Sequence, residues 1–147
     1  RKGRPDIALS SDFIVGFPGE TDQDFEDTMD LIERVNFSSA YSFIYSPRPG
    51  TPAANMQQQL HDKIKSERLT RLQALLAEQQ KQFNANTVGK DVTVIFDRRG
   101  RQDNQYLGRS EYNQAVHVVA NEDLFGQMRK VRVTASTQSS LTAELVA

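Results

Sequence analysis

A glycine-rich turn after the first apolar run is where this sequence could first bind a ligand. The apolar stretch Phe13–Val15 runs into the turn Gly16–Gly19, and an acidic segment with helical spacing follows. A phosphate loop would need GxxxxGK[ST] and a dinucleotide site would need GxGxxG, and the turn matches neither pattern. Acidic side chains at the start of the next helix would also repel a bound anion. Two interpretations remain: a tightly packed turn, or a strand end that faces a flat, neutral ligand such as an adenine ring.

A proline-rich loop carries the second candidate side chain, Arg48. Pro47 and Pro49 flank this arginine and restrict its backbone. A guanidinium presented in this way suits a carboxylate or a phosphate, although a surface arginine in a structural loop has the same pattern. The two histidines, His61 and His117, show no metal-ligand spacing, so we expect no metal site in this chain.

Arginines alternate with aromatic residues in the last third of the chain. Arginine suits phosphates and aromatic rings stack on bases, which is the combination that single-stranded RNA binding requires. Interspersed acidic residues dilute this charge, so a solvated hairpin that happens to hold arginines is the alternative. The residues that form the pattern are Arg98, Arg99, Arg101, Tyr106, Arg109, Tyr112 and His117.

The spacing of apolar residues predicts three sections that would position these side chains. Residues 1–54 are predicted to form a strand, a helix and a second strand, and a right-handed crossover of this kind makes the two strands parallel. Residues 55–83 are predicted to hold a stiff loop and one long helix. Residues 84–147 change to period two, which predicts about five short strands in a small OB-like antiparallel β-barrel. The fold class is therefore α/β followed by all-β.

The predicted strand–helix–strand unit cannot close a domain by itself. Thr21 is placed to cap its helix, but its two strands would expose unpaired edges. We therefore expect residues 84–147 to fold alone and residues 1–54 to need further strands.

Composition narrows the possible chemistry. The chain has 147 residues, a net charge of −1 and no cysteine. The absence of cysteine excludes disulfides, thiolate catalysis and any iron–sulfur cluster held by cysteines of this chain. There is no apolar run of about 18 residues and no signal-peptide pattern, so we expect no membrane segment and a cytoplasmic location.

Several longer stretches match a known pattern. The segments "SSDFIVGFPGET" and "YSFIYSPRPGTPAA" resemble the radical S-adenosylmethionine methylthiotransferases. The closest subgroup adds a methylthio group to isopentenyl-adenosine beside the anticodon of tRNA. The segments "VGKDVTV" and "LGRSEYNQAVHV" are similar to the C-terminal TRAM domain of that family, a small RNA-binding barrel.

This resemblance implies a place for the first section and a ligand for it. The two predicted strands would be the fifth and sixth of a partial (βα)₆ barrel, and the first would lie against the adenine of S-adenosylmethionine. The cofactor-binding residues implied in this way are Asp12, Ile14, Gly16, Tyr45 and Arg48. In the tail, the implied RNA contacts are Arg99, Arg101, Arg109, Tyr112 and Asn113.

The resemblance also implies what a complete enzyme would contain. Family members carry two 4Fe-4S clusters, and the cysteines that hold them are missing from this chain. One S-adenosylmethionine yields a radical that abstracts hydrogen from adenine, the second cluster supplies sulfur, and another S-adenosylmethionine supplies the methyl group. We therefore expect the C-terminal part of a longer monomeric enzyme, inactive as this chain alone. The alternatives are a methylthiotransferase for threonylcarbamoyl-adenosine or a ribosomal protein, and a non-catalytic RNA-binding module.

Overall fold

A computed structural model describes residues 1–146 of the chain, which form two compact units. One unit comprises residues 9–79, and the other comprises residues 1–8 together with the chain from residue 80 onward. The elements, in chain order, are β1 (Ser10–Val15), α1 (Asp22–Val35), β2 (Ser39–Ile44), a short 3₁₀ helix (Pro52–Asn55), α2 (Asp62–Ala85), β3 (Asp91–Arg99), β4 (Gln105–Ser110), β5 (Ala115–Val119), β6 (Met128–Ser136) and β7 (Leu141–Leu145). No helix formed by residues 1–146 has the length and apolar character needed to span a membrane.

The first unit contains the predicted strand–helix–strand arrangement. β1 and β2 pair in parallel, from Ser10 opposite Ser39 to Val15 opposite Ile44. The helix between them begins at Thr21, whose hydroxyl accepts from the Asp24 backbone N–H at 3.0 Å while the Asp24 carboxylate accepts from the Thr21 N–H at 3.0 Å. This reciprocal capping satisfies two backbone donors that the first turn would otherwise leave unpaired. The predicted cap is therefore confirmed.

Helices α1 and α2 pack on one face of this small sheet. The buried side chains of this core are Val15, Phe25, Ile32, Phe37, Leu72 and Leu76. Gln79 is a polar residue that is buried among them. Its amide donates to the Ile32 carbonyl at 2.8 Å and accepts from the Phe37 N–H at 2.9 Å. It thus pairs two backbone groups that would otherwise be buried without partners.

The opposite face of the sheet is uncovered. Asp12 lies opposite Tyr41, and Ile14 lies opposite Phe43, and all four side chains point to this face because strand residues alternate. Ile14 is 59% exposed and Phe43 is 53% exposed. Two apolar side chains, Ile14 and Phe43, are therefore exposed near the carboxyl ends of the two strands, on the same face as the charged Asp12.

The second unit is a closed five-stranded barrel in the order β3-β4-β5-β7-β6, with β6 pairing back to β3. Four of the strand pairs are antiparallel, and the β5–β7 pair is parallel. The OB-like barrel expected from the sequence is confirmed, with this one parallel pair as a detail that the periodicity did not predict. The buried core is Val92, Val94, Phe96, Tyr106, Val116, Val118, Ala120, Leu124, Val131, Val133, Leu141 and Ala143.

Gly108 lies inside strand β4, although glycine is more typical of a turn than of a strand interior. It pairs with Phe96 on one side and Val116 on the other. A Cβ atom at this position would collide with the backbone carbonyl of Ile95. The glycine therefore lets β3 and β4 approach closely at the point where β3 bulges between Phe96 and Arg98.

A buried polar network joins the last turn of α2 to the barrel. The Gln114 amide donates to Asn84 Oδ1 and to Thr87 Oγ1, both at 3.0 Å, and accepts from the Ser110 hydroxyl at 3.0 Å. Asn84 in turn donates to the backbone carbonyls of Thr137 and Gln138. Every polar group of this network is paired, so it fixes the β4–β5 turn and the β6–β7 turn without leaving a buried group unsatisfied.

Candidate cofactor edge and RNA-binding surface

The chain turns sharply at Gly16, after the carboxyl end of β1, as the glycine-rich segment Gly16–Gly19 predicts. Gly16 has φ +79°, a left-handed conformation that side chains other than glycine rarely adopt. Its N–H donates to the Glu20 carboxylate at 3.1 Å. The aliphatic stem of Lys65 lies where a Gly16 side chain would have to go. The turn is therefore packed against α2 on this side.

Glu20 is held by a buried arginine from α2 that the sequence did not single out. Arg68 donates to the Glu20 carboxylate at 2.6 Å, to the Glu20 backbone carbonyl at 3.0 Å and to Asp22 at 2.8 Å. The Arg68 side chain is 8% exposed and that of Glu20 is 13% exposed. Burial works against the charge of Arg68, but its hydrogen bonds with Asp22 and Glu20 prevail and raise its pKa above the usual value. The turn after β1 is thus fixed by a shielded ion pair.

Tyr45 follows β2 and contacts the same turn. Its N–H donates to the Val15 carbonyl at 2.8 Å, and its ring meets that of Phe17 edge to face, with centroids 5.4 Å apart. Lys65 Nζ donates to the Tyr45 carbonyl at 3.4 Å. The Tyr45 hydroxyl is buried and has no hydrogen-bond partner among the described residues. An unpaired buried hydroxyl costs free energy, which is consistent with a polar group of a ligand or of further chain completing this site.

The five residues predicted to bind S-adenosylmethionine fall into three groups. Asp12 and Ile14 lie on the open face of the sheet, Gly16 and Tyr45 lie within the packed turn region, and Arg48 is exposed in the loop beyond β2. The exposed apolar side chains of Ile14 and Phe43 suit the uncharged face of an adenine ring, and the carboxylate of Asp12 lies on the same face of the sheet. The residues present therefore fit one wall of an S-adenosylmethionine site. Whether each contacts the cofactor stays a prediction.

The chain does not fit an iron–sulfur cluster. It has no cysteine, and residues 1–146 contain no group of three histidine, aspartate or glutamate side chains arranged to hold a metal ion. Ligands for a cluster would have to come from other residues than these.

The residues predicted to contact RNA lie at two ends of strand β4. Arg99 pairs with Tyr106 at one end, near Arg101 in the β3–β4 loop, whereas Arg109 pairs with Ile95 towards the other end. These points are four steps apart along β3, which is on the order of 13 Å. The sequence pattern therefore describes two patches on the barrel.

In the patch at Arg109, several side chains already form hydrogen bonds or ring contacts within the protein. Arg109 donates to the Asn113 carbonyl at 3.2 Å, and Asn113 has φ +59°, as a tight β4–β5 turn requires. The Tyr112 hydroxyl donates to Asp6 at 2.7 Å, and its ring packs against Phe83. This hydrogen bond lowers the pKa of Asp6 and raises the pKa of Tyr112. The exposed guanidinium of Arg109 is the part of this patch that faces solvent.

Among the described residues of the barrel, few cations lack an acidic partner. Arg98, Arg99, Arg129 and Arg132 each pair with a carboxylate. Among residues 1–146, no ion pair involves Lys90, Arg101, Arg109 or Lys130, so these four side chains are available to phosphates.

Comparison with known proteins follows this division of the chain. The profile of the TRAM domain matches residues 85–146, which cover the barrel. Over 147 residues, the chain is 52% identical to the tRNA-2-methylthio-N(6)-dimethylallyladenosine synthases of Rickettsia conorii and Rickettsia felis. It is 51% identical over 146 residues to the protein of the same name from Rickettsia bellii. Each match covers 99% of this chain and 33% of the relative.

The fold and the TRAM match together define a class of protein in which a parallel α/β segment precedes a TRAM barrel along the chain. More particularly, the chain is homologous along nearly its whole length to part of the tRNA-2-methylthio-N(6)-dimethylallyladenosine synthases. It spans about a third of the length of the curated relatives it matches. The family resemblance drawn from the sequence is confirmed.

Proposed function

We propose that this chain acts as the C-terminal portion of a radical S-adenosylmethionine methylthiotransferase that modifies isopentenyl-adenosine beside the anticodon of tRNA. The observation that carries this proposal is the 52% identity, along 99% of the chain, to synthases named for that product. The cytoplasm is the expected location because tRNA acts there, and we expect the complete enzyme to be a monomer.

The two units would have different roles in such an enzyme. The open face of β1 and β2, with Ile14 at its centre, would form one wall of the cofactor site, and the packed turn at Gly16 would set the shape of its edge. S-adenosylmethionine, when bound, supplies the radical and the methyl group. The barrel would bind tRNA through the side chains predicted above. Both clusters would be held by residues outside this chain.

One observation favours an alternative function, a non-catalytic RNA-binding module. The absence of cysteine from the chain fits a non-catalytic RNA-binding module, since such a module needs no cluster. Methylthiotransferases that act on threonylcarbamoyl-adenosine or on a ribosomal protein remain chemically compatible, but the names of the relatives favour isopentenyl-adenosine.

Mass spectrometry of tRNA nucleosides tests the proposal. The full-length protein that contains this chain is produced in cells lacking the modification, and we expect 2-methylthio-isopentenyl-adenosine to appear. Ile14→Glu should lower its yield about tenfold or more, because a carboxylate on this wall would lose its hydration against a neutral ring, and 1.4 kcal/mol suffices for a factor of ten.

The matched control is Leu31→Glu, which places the same charge on α1 at a side chain that is 51% exposed, and it should leave the yield unchanged. Appearance of methylthio-threonylcarbamoyl-adenosine instead would overturn the choice of target. If no methylthio product forms in tRNA or in ribosomal protein, the result favours the non-catalytic RNA-binding module.

A further inference from the structure

An exposed aromatic ring lies at the end of the barrel where β3 finishes. Phe125, in the β5–β6 loop, is 54% exposed, although a ring of this size normally contributes to a core. Its backbone is fixed, because its N–H donates to Asp123 at 3.1 Å and the following Gly126 N–H donates to the Phe96 carbonyl at 2.7 Å. The ring is therefore presented by a structured turn.

Arg99 contacts this ring. Its guanidinium lies over the Phe125 ring at 5.4 Å from the centroid and over the Tyr106 ring at 5.5 Å. One nitrogen, Nη2, donates to both carboxylate oxygens of Asp123, at 3.1 and 2.9 Å. Asp123 has a lowered pKa, owing to the Phe125 N–H and to Arg99, so it is charged at neutral pH.

This arrangement argues against a simple phosphate contact at Arg99. The charge that would attract a phosphate is already balanced by Asp123, which would also repel it. What remains available is planar surface: the Phe125 ring and the adjoining guanidinium. Arg101, two residues further along in the exposed β3–β4 loop, has no ion pair with residues 1–146 and supplies the positive charge nearby.

We propose that Phe125, with Arg99 held beside it by Asp123, is a stacking platform for one unpaired nucleobase of bound RNA. The inference rests on the proposed function, in that the barrel must bind RNA. Aromatic rings accept any base in this way, because every base has a π-face, and arginine adds a cation–π contribution. Arg101 would contact the adjoining phosphate. The platform thus provides stacking and Arg101 provides charge.

The chain contains no tryptophan, which makes a direct test possible. Phe125→Trp places a single tryptophan in the platform, and its emission can be excited apart from that of the four tyrosines. Val88→Trp places a tryptophan at another exposed apolar position, which precedes β3, a strand that runs roughly 27 Å from Asp91 to Arg99. Both variants of the whole chain are titrated with single-stranded RNA of about ten nucleotides and with a fully abasic oligonucleotide of the same length.

We expect RNA to quench the tryptophan in Phe125→Trp and to leave that in Val88→Trp unchanged, while the abasic oligonucleotide quenches neither. In anisotropy measurements with labelled RNA, Phe125→Leu should weaken binding about tenfold, within the range for loss of one stacked base, and Phe125→Tyr should bind as the unaltered chain does. Binding of the abasic oligonucleotide should be the same for all of them.

Two results would overturn the inference, and they are distinguishable. If RNA binds but neither quenches the Phe125→Trp fluorophore nor responds to Phe125→Leu, the platform is wrong and the proposed function stands. If the unaltered chain binds neither RNA nor the abasic oligonucleotide, RNA binding by the barrel fails and the platform fails with it.

Discussion

In the full-length protein, Arg68→Met is expected to lower the free energy of local unfolding of residues 9–79 by about 3–5 kcal/mol, the range for removing one partner of a buried ion pair. Methionine keeps much of the length and the apolar stem but has no donor. Glu20 would then be left largely buried with only the Gly16 N–H as a partner. Asp22 is fully exposed and adds little to this cost. The turn after β1 should lose its fixed shape.

The matched control is Arg71→Met, one turn further along α2. Arg71 also lies over the Phe25 ring, but its ion pair with Glu26 is about half exposed on both sides. Exposed pairs of this kind contribute about 0–1 kcal/mol. Hydrogen-exchange mass spectrometry should show lost protection over β1 and α1 in Arg68→Met alone. Equal loss in the two variants would mean that the buried pair does not stabilise the turn.

Gly108→Ala is expected to destabilise the barrel by about 3 kcal/mol, at the upper end of the usual cost of overpacking. The added Cβ would meet the Ile95 carbonyl, which belongs to the β3 backbone and cannot rotate away as a side chain can. The two strands would have to separate where they form their ladder. Lower stability should appear as an earlier urea transition in circular dichroism, with loss of exchange protection confined to β3 and β4.

Gly100→Ala serves as its control. A Cβ there would also meet an atom too closely, but that atom belongs to the flexible Gln105 side chain, which can move. Neither Gly100 nor Gly108 has a positive φ, so strain of the backbone does not distinguish them. We expect the urea midpoint of Gly100→Ala to stay near that of the unaltered chain. If the midpoint of Gly108→Ala is equally near, β3 and β4 tolerate the extra atom and the prediction is wrong.

Local rules predicted most of the fold. The Thr21 cap depends on residues three positions apart, and the parallel pairing of β1 and β2 follows from the intervening helix. Strand β4 was harder to predict, because Gly108 interrupts its alternating pattern and looks like a turn. Its role depends on the close approach of β3, a tertiary contact that the sequence of β4 does not encode.

The candidate site was only partly predictable for the same reason. Glu20 and Arg68 are 48 residues apart, so no local pattern in the sequence pairs them. Phe125 follows the buried Leu124 in the β5–β6 loop, and no periodicity shows that the first of these two apolar residues is buried and the second exposed. Its exposure beside Arg99 emerges only when the barrel closes.

Whether the barrel binds tRNA is measured by titrating the whole chain with tRNA and following anisotropy at several salt concentrations. We expect a dissociation constant of about 1–100 µM at low salt. Binding should weaken as salt rises, with a slope that corresponds to a few released counterions, because few cations among the described barrel residues are free of ion pairs. Arg101→Gln should reduce that slope by about one, and Arg132→Gln, at a paired arginine, should change it little. Absence of tRNA binding at the lowest salt concentration would contradict the assignment of the barrel as the tRNA-binding part of a methylthiotransferase.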